Sequence, residues 1–313
     1  MSRRVVVTGV SGFVGPYLLD RLLADGFDVR ALGRATTGPR PDVPYRQVRV
    51  LPTAPAGWDD LLDWAHADAV VHLAAQSHVP TSWNDPAGTL TSNLVTAAAL
   101  FDAVRRRSDV STVLTVGSSE EYGPQEPGPV GETATPHPAN PYALSKYAEG
   151  ELARQLLTRG HRAWYHVRPF NHIGPGQRRG FLVPDIASQI AAVERGEHTV
   201  LRIGDTSPVR DFLAVDDVAA AYSALLRVKP PSGIYNVASG RGRSVGEILE
   251  NLLALSPVTI PVETDATRVR AADTSVFVGD PSKIRSATGW APSTPLEVVL
   301  RRVLDSWRRA STP

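Results

Sequence analysis

Val5-Val6-Val7-Thr8-Gly9-Val10-Ser11-Gly12-Phe13-Val14-Gly15 is the stretch that decides the fold. A short β-branched apolar run bounded by glycine reads as a buried strand. It passes directly into glycines spaced Gly-x-x-Gly-x-x-Gly. An amphipathic helix is expected to follow through Leu23 and to stop at Asp25-Gly26. Glycines at such a strand-to-helix turn let backbone N–H groups approach a pyrophosphate at the positive end of the helix. A tight turn with no ligand would use the same residues. The leading strand and the Phe13 filler favour a dinucleotide held by Gly9, Ser11, Gly12, Phe13, Val14 and Gly15.

The pattern continues outward from this turn. Strands are expected at 28–32, 69–73, 112–116 and 164–167, and helices at 59–65, 91–106 and from Tyr142 to Gly160. Strands alternating with helices predict an α/β fold, a Rossmann-type doubly wound parallel sheet with right-handed crossovers. Residues 39–55 are Pro-rich and are expected to be a loop. After Arg168 the pattern changes. Residues 169–180, rich in Gly, Pro and Asn, suit a loop crossing to a second lobe. Helices are expected at 185–194, 215–226 and 295–309, and Ser244-Val-Gly-Glu247 is a capping box that opens another. The expected division is a dinucleotide-binding Rossmann domain over 1–169, with a returning segment at about 211–240, and a smaller C-terminal α/β substrate-binding lobe over 170–313, which is therefore discontinuous.

Composition narrows the class. A chain of 313 residues holds one large α/β domain or two modest lobes. Hydrophobic residues make up 42% and charged residues 21%, a globular balance. The formal net charge of +1 leaves no nucleic-acid footprint, and Arg3-Arg4 and Arg105 to Arg107 read as solvated element ends. The lack of cysteine excludes disulfides, thiolate zinc sites and cysteine catalysis. No apolar run approaches the ~20 residues of a membrane helix. The first strand starts too early to leave room for a signal peptide. A cytoplasmic enzyme with no membrane or nucleic-acid partner is expected.

Four further stretches carry chemistry. The second strand ends in Gly33-Arg34, where an acidic residue often binds the ribose 2′-hydroxyl. A guanidinium there suits a 2′-phosphate, so NADP is expected, with NAD as the alternative. Ser118-Ser119-Glu120 ends a parallel strand at the crevice where such sheets bind ligands. A hydroxyl there can bond an oxygen that gains charge during hydride transfer, and a carboxylate can act as a base. Glu121 is expected to face solvent or to pack structurally. Tyr142-Ala-Leu-Ser-Lys146 sets a phenol and an ammonium on one helical face. Asn140 as cap, Pro141 in the first turn and Gly160 at the end frame that helix. A free tyrosine has a pKa near ~10. The cation is expected to lower it, so that the pair can trade a proton with a sugar hydroxyl or carbonyl. Asn171-His172-Ile-Gly-Pro-Gly-Gln177 offers hydrogen bonds to a sugar or diphosphate, and Arg210 and the Arg268-x-Arg270-x-x-Asp273 stretch add cations. His172 has no partner histidines at metal-binding spacing, and no metal is expected.

Together these motifs resemble the extended short-chain dehydrogenase/reductase family of the NAD-dependent epimerase/dehydratase type, which acts on nucleotide sugars. The resemblance covers nearly the whole chain. It rests on Thr8-Gly-x-x-Gly12-Phe-x-Gly15, His72-Leu-Ala-Ala75, Ser118-Ser119, Tyr142-x-x-x-Lys146, Arg210-Asp-Phe212 and Gly289-Trp290-x-Pro292. Within the family, Gly117-Ser-Ser-Glu-Glu-Tyr-Gly123 and Arg168-Pro-Phe-Asn-His-Ile-Gly-Pro-Gly-Gln177 look like GDP-6-deoxy-4-keto-D-lyxo-hexose reductases, with GDP-mannose 4,6-dehydratases as neighbours. The resemblance implies Tyr142 as acid/base, Lys146 on the nicotinamide ribose and Ser118 polarising the substrate oxygen. It implies Leu73, Ala74 and Ala75 beside the cofactor, and Ser119, Asn171, His172, Gln177, Arg210, Arg270 and Asp273 on the substrate. Glu120 matches the dehydratase glutamate that deprotonates the sugar C5. Arg49 departs from the aspartate that many relatives place near the adenine. A homodimer through a four-helix interface, built from 91–106 and 142–159, is also implied. The expected activity is reduction of a GDP-4-keto-6-deoxyhexose at C4. A 4,6-dehydratase is the alternative, then a 4-epimerase, and last a non-catalytic dinucleotide sensor.

Overall fold

The structure, a computed structural model, describes residues 3–265 and 275–310. Val5, Val6 and Val7 are buried because β1 (Arg4–Thr8) lies inside a seven-stranded parallel sheet. The others are β2 (Asp28–Gly33), β3 (Tyr45–Gln47), β4 (Ala69–His72), β5 (Thr112–Val116), β6 (Ala163–Pro169) and β7 (Gly233–Val237). Their spatial order is β7-β6-β5-β4-β1-β2-β3. The order reverses between β1 and β4, where Thr8 lies level with His72 on one side and with Leu32 on the other. A ligand crevice opens at the carboxyl ends of strands at such a reversal.

Each face of the sheet is covered. Leu18, Leu19 and Leu22 of the helix Val14–Ala24 and Val218, Tyr222 and Leu225 of the helix Val215–Val228 join the core on one side. Trp58 and Leu62 of Pro55–Ala65, Leu100 and Val104 of Thr96–Arg106, and Leu157 of Pro141–Arg159 form the core on the other. Burying strands on both faces is why they read as continuous apolar runs rather than as alternation.

Three elements differ from their sequence expectation. Residues 39–55 are not wholly a loop, because Tyr45–Gln47 pairs with β2 (Ala31 opposite Tyr45) at the sheet edge. The next helix begins at Pro55, the first-turn position that proline suits, four residues before 59. The stretch 91–106 is not one regular helix. Two short helices, Val79–Asn84 and Pro86–Leu90, lead into a wider π turn at Thr91–Val95 before the α-helix resumes. That turn points Asn93 inward, where its Oδ1 accepts the Gln76 N–H (2.7 Å) and its Nδ2 donates to Ser145 Oγ (2.9 Å).

A second, mixed sheet is centred on the strand Val209–Ala214. It runs parallel to Asn171–Ile173 and Val276–Gly279 and antiparallel to Gly242–Ser244. Pro129–Val130, from the first half of the chain, adds to its far edge. A third apolar core lies among the helices Leu182–Glu194, Val245–Leu253 and Leu296–Arg309. The Ser244 capping box forms: Ser244 Oγ accepts the Glu247 N–H at 3.0 Å, and Glu247 accepts the Ser244 N–H at 2.7 Å.

Candidate active site

The glycine turn sits at the strand-order reversal. Gly9 has φ +72°, and a Cβ there would lie 2.6 Å from the Ala74 nitrogen. A Cβ on Gly15 would lie 2.2 Å from the Val10 carbonyl oxygen, so this glycine lets the helix close on the strand. Gly12 is exposed, and no side chain caps the helix start at Phe13, so its first N–H groups have no side-chain acceptor. Thr8 and His72 lock the neighbouring strand end in place. Thr8 Oγ1 bonds His72 Nδ1 (3.0 Å) and accepts the Ala74 N–H (3.2 Å), which pins Leu73 to Ala75 against the turn. Burial pushes His72 down to about 3, so it is neutral. Ser11 Oγ accepts the Ala35 N–H (3.3 Å), which brings exposed Arg34 to the same rim.

Ser118 lies just past β5, and Tyr142 and Lys146 come from the helix Pro141–Arg159; all three are buried. Asn140 fixes that helix: its Oδ1 accepts the Ala143 N–H at 2.8 Å, while its Nδ2 donates to Glu120 Oε2 at 3.1 Å. The turn Ser119–Tyr122 begins under Ser118, whose Oγ accepts the Glu120 N–H (3.2 Å). The same hydroxyl lies beside the Tyr142 phenol. Ser119 is buried and Glu120 is exposed.

The expected lowering of the Tyr142 pKa is not what the structure shows. Burial pushes the phenol well above its ordinary value; the neighbouring Ser118 hydroxyl opposes this, and Glu121, Glu120 and Glu149 add to the rise. The Lys146 ammonium is spent elsewhere, in a 2.6 Å ion pair with Glu149, which is itself wholly buried. Glu149 is raised by burial, with Lys146 pulling the other way. Of the two expectations for Glu121, the structure shows structural packing: it is fully buried. Sequence reasoning missed Asn93 and Glu149. Glu149 carried a signal, a carboxylate one turn after Lys146 on a helix face; Asn93 carried none.

The stretch 171–177 packs onto the glycine turn. The His172 ring stacks on Phe13 (centroids 5.9 Å, interplanar 8°), and Tyr17 Oη donates to the Pro175 carbonyl at 2.8 Å. His172 Nδ1 donates to the Phe170 carbonyl (3.1 Å) and exposed Asn171 donates to the Asp211 carbonyl (3.2 Å). Gln177 donates to the His172 carbonyl (3.1 Å), and its buried Oε1 has no partner among the described residues. Half-buried Arg210 donates to the Val209 carbonyl (2.9 Å), while buried Asp211 gathers Ser239, Gly240 and Gly279 N–H groups behind it. Arg268, Arg270 and Asp273 lie outside the described residues. Among the described residues no cluster of His, Asp or Glu could hold a metal ion.

Comparison with known proteins follows the same lines. A family model described as GDP-mannose 4,6 dehydratase matches residues 6–303. The chain is 36% identical over 312 residues to a GDP-6-deoxy-D-mannose reductase of Pseudomonas aeruginosa, covering 98% of each chain. It is 30% identical over 328 residues to GDP-mannose 4,6 dehydratase 2 of Arabidopsis thaliana, covering 96% of this chain and 85% of that one. A solved structure of RMD from Pseudomonas aeruginosa complexed with NADPH superposes with a TM-score of 0.86 at 35% identity, covering 98% of both chains.

Proposed function

The chain belongs to the GDP-mannose 4,6 dehydratase family of extended short-chain dehydrogenases/reductases, and on that premise we propose that it is an NADPH-dependent 4-ketoreductase of a GDP-4-keto-6-deoxyhexose. The glycine turn fits a dinucleotide: Gly9 and Gly15 leave no room for a Cβ, Gly12 is open, and the helix start is uncapped. Arg34 beside Ser11 suits a 2′-phosphate, which supports NADPH over NADH. Bound there, NADPH supplies a hydride to the C4 carbonyl carbon of the sugar.

The chain's own residues supply the proton and the geometry. Tyr142 gives its phenolic proton to the C4 oxygen as negative charge grows on it. Burial serves this direction of reaction, because a raised pKa keeps the phenol protonated until an alkoxide arrives. Ser118 holds the same oxygen, and Lys146 holds the nicotinamide ribose. Asn171, His172, Gln177 and Arg210 grip the sugar and diphosphate, with Ser119 at the strand end and Arg270 and Asp273 from outside the described residues. The orphaned Gln177 Oε1 is consistent with a ligand hydroxyl as partner. Residues 170–313, apart from the helix Val215–Val228 and the strand Gly233–Val237 that return to the first sheet, supply the substrate-binding lobe, and the enzyme is cytoplasmic.

The observation that carries this reading is the placing of buried Ser118, Tyr142 and Lys146 together at the end of β5. One substrate oxygen can meet both groups there. The whole-length likeness to a GDP-6-deoxy-D-mannose reductase supports the reductase assignment. The second reading, a 4,6-dehydratase, is favoured by exposed Glu120, which Asn140 holds beside the same site, where it could remove the C5 proton. Purified protein with NADPH and GDP-4-keto-6-deoxymannose decides between them. Stoichiometric loss of nicotinamide absorbance is expected. Unchanged absorbance, with GDP-mannose converted in the absence of added reductant, would replace the reductase by the dehydratase.

The proposed enzyme is a homodimer through a four-helix interface. Val95 and Leu144 are 41% and 48% exposed on the two helices in question. Leu144→Asp is expected to halve the mass measured by light scattering at micromolar concentration. A parent protein already monomeric there would end this proposal.

A further inference from the structure

A buried ionic cluster behind Ser118 has no place in the chemistry above. Glu121 and His166 have no exposed surface, and Arg168 is 1% exposed. Three donors converge on the Glu121 carboxylate. The backbone N–H of Ser118 reaches Oε1 at 2.9 Å, His166 Nε2 reaches the same oxygen at 2.9 Å, and Arg168 Nε reaches Oε2 at 2.7 Å. His166 Nδ1 in turn meets Thr115 Oγ1 of β5 at 2.8 Å. The Arg168 guanidinium also lies 4.5 Å from the centre of the Tyr122 ring. Burial alone would raise the Glu121 pKa, but His166, Arg168 and the Ser118 N–H together hold it below the ordinary carboxylate range.

The cluster sits between the two halves of the site. On one side it touches Gly117, where a Cβ would lie 2.0 Å from Glu121 Oε1 and 2.4 Å from His166 Nε2. On the other it touches Gly150, on the helix that carries Tyr142 and Lys146, where a Cβ would lie 2.6 Å from the His166 ring. Both glycines thus let strand end and helix close onto one ion group. We propose that Glu121 is a positioning residue: its carboxylate, tied to Arg168 and His166, fixes the backbone of Ser118 and, through His166, the spacing between Ser118 and the Tyr142 helix. The inference rests on the proposed roles of Ser118 and Tyr142. Glu121 touches no substrate and acts through Ser118 and His166.

The test uses two variants of the full chain. In Glu121→Gln one carboxylate oxygen becomes an N–H₂ that cannot accept, so it meets either Arg168 Nε or the Ser118 N–H donor to donor. The expected result is a tenfold to hundredfold fall in kcat, the scale of a misplaced catalytic group, on the order of 10². KM for the sugar and Kd for NADPH are expected to stay within about threefold. Glu121→Leu combined with Arg168→Met removes both charges, so no buried ion is stranded and the melting temperature recovers. Its kcat is expected to stay low, because the Ser118 N–H is still unanchored. Recovery of kcat together with melting temperature, or parallel loss of kcat and NADPH affinity in Glu121→Gln, would make the cluster merely structural and overturn the proposal. The parent's turnover, as NADPH loss or as conversion of GDP-mannose, supplies the reference rate. A failed reductase assignment therefore shows in the parent, and a failed positioning role shows in the ratio of variant to parent.

Discussion

Tyr142→Phe is expected to cut turnover by about 10² to 10⁴, the usual contribution of a positioned general acid, while NADPH binding stays within about twofold. The phenol ring is buried and the substitution removes one oxygen, so the packing of the helix Pro141–Arg159 is retained. The loss falls on the proton. In the proposed reaction the C4 oxygen gains charge as hydride arrives, and a phenylalanine at 142 offers it no proton. Steady-state rates together with fluorescence titration of NADPH check this. Turnover at the parent rate would remove Tyr142 from the mechanism.

Lys146→Met is expected to abolish turnover and also to cost about 3–5 kcal/mol of stability, the scale for a buried pair that loses one partner. The reason lies in Glu149, which is wholly buried and has Lys146 as its ion-pair partner at 2.6 Å. The sign of the pH effect follows. The Glu149 carboxyl is already raised by burial, with Lys146 holding it down, and loss of the ammonium lets it rise further. A carboxyl raised in the folded state penalises folding above its folded pKa, and the penalty fades as pH falls through that value. The gap in stability between parent and variant is therefore expected to narrow on acidification. Adding Glu149→Gln to Lys146→Met is expected to recover most of the stability and none of the turnover. Denaturant melts across pH check the first part, and a gap that stays constant with pH would show that Glu149 is not the cause.

Much of this site was legible because its signals are local. The Asn140 cap and the Ser244 capping box act within four residues and the Thr8 to Gly15 turn within eight, and all formed as their spacing implied. The parallel sheet was legible from buried apolar runs separated by helical stretches. The edge strand at Tyr45 was not, since three half-exposed residues in a Pro-rich stretch carry no period, and only pairing with β2 makes them a strand. Pro129–Val130 is shorter still and exists because Val278 and Gly279 lie beside it.

The charges show the same divide. Sequence alone determined that a phenol and an ammonium share one helical face, that hydroxyls end a parallel strand nearby, and that glycines close a strand-to-helix turn, because helix and strand periods are properties of neighbouring residues. Only the tertiary structure decided which ions pair: Lys146 with Glu149 rather than with the phenol, and Glu121 with His166 and Arg168, some 45 and 47 residues away, rather than with water. It also decided the direction in which Tyr142 shifts. The physical reason is desolvation. The pKa of a buried group depends on how much water the whole fold removes and which charges replace it, and spacing along the chain contains neither quantity.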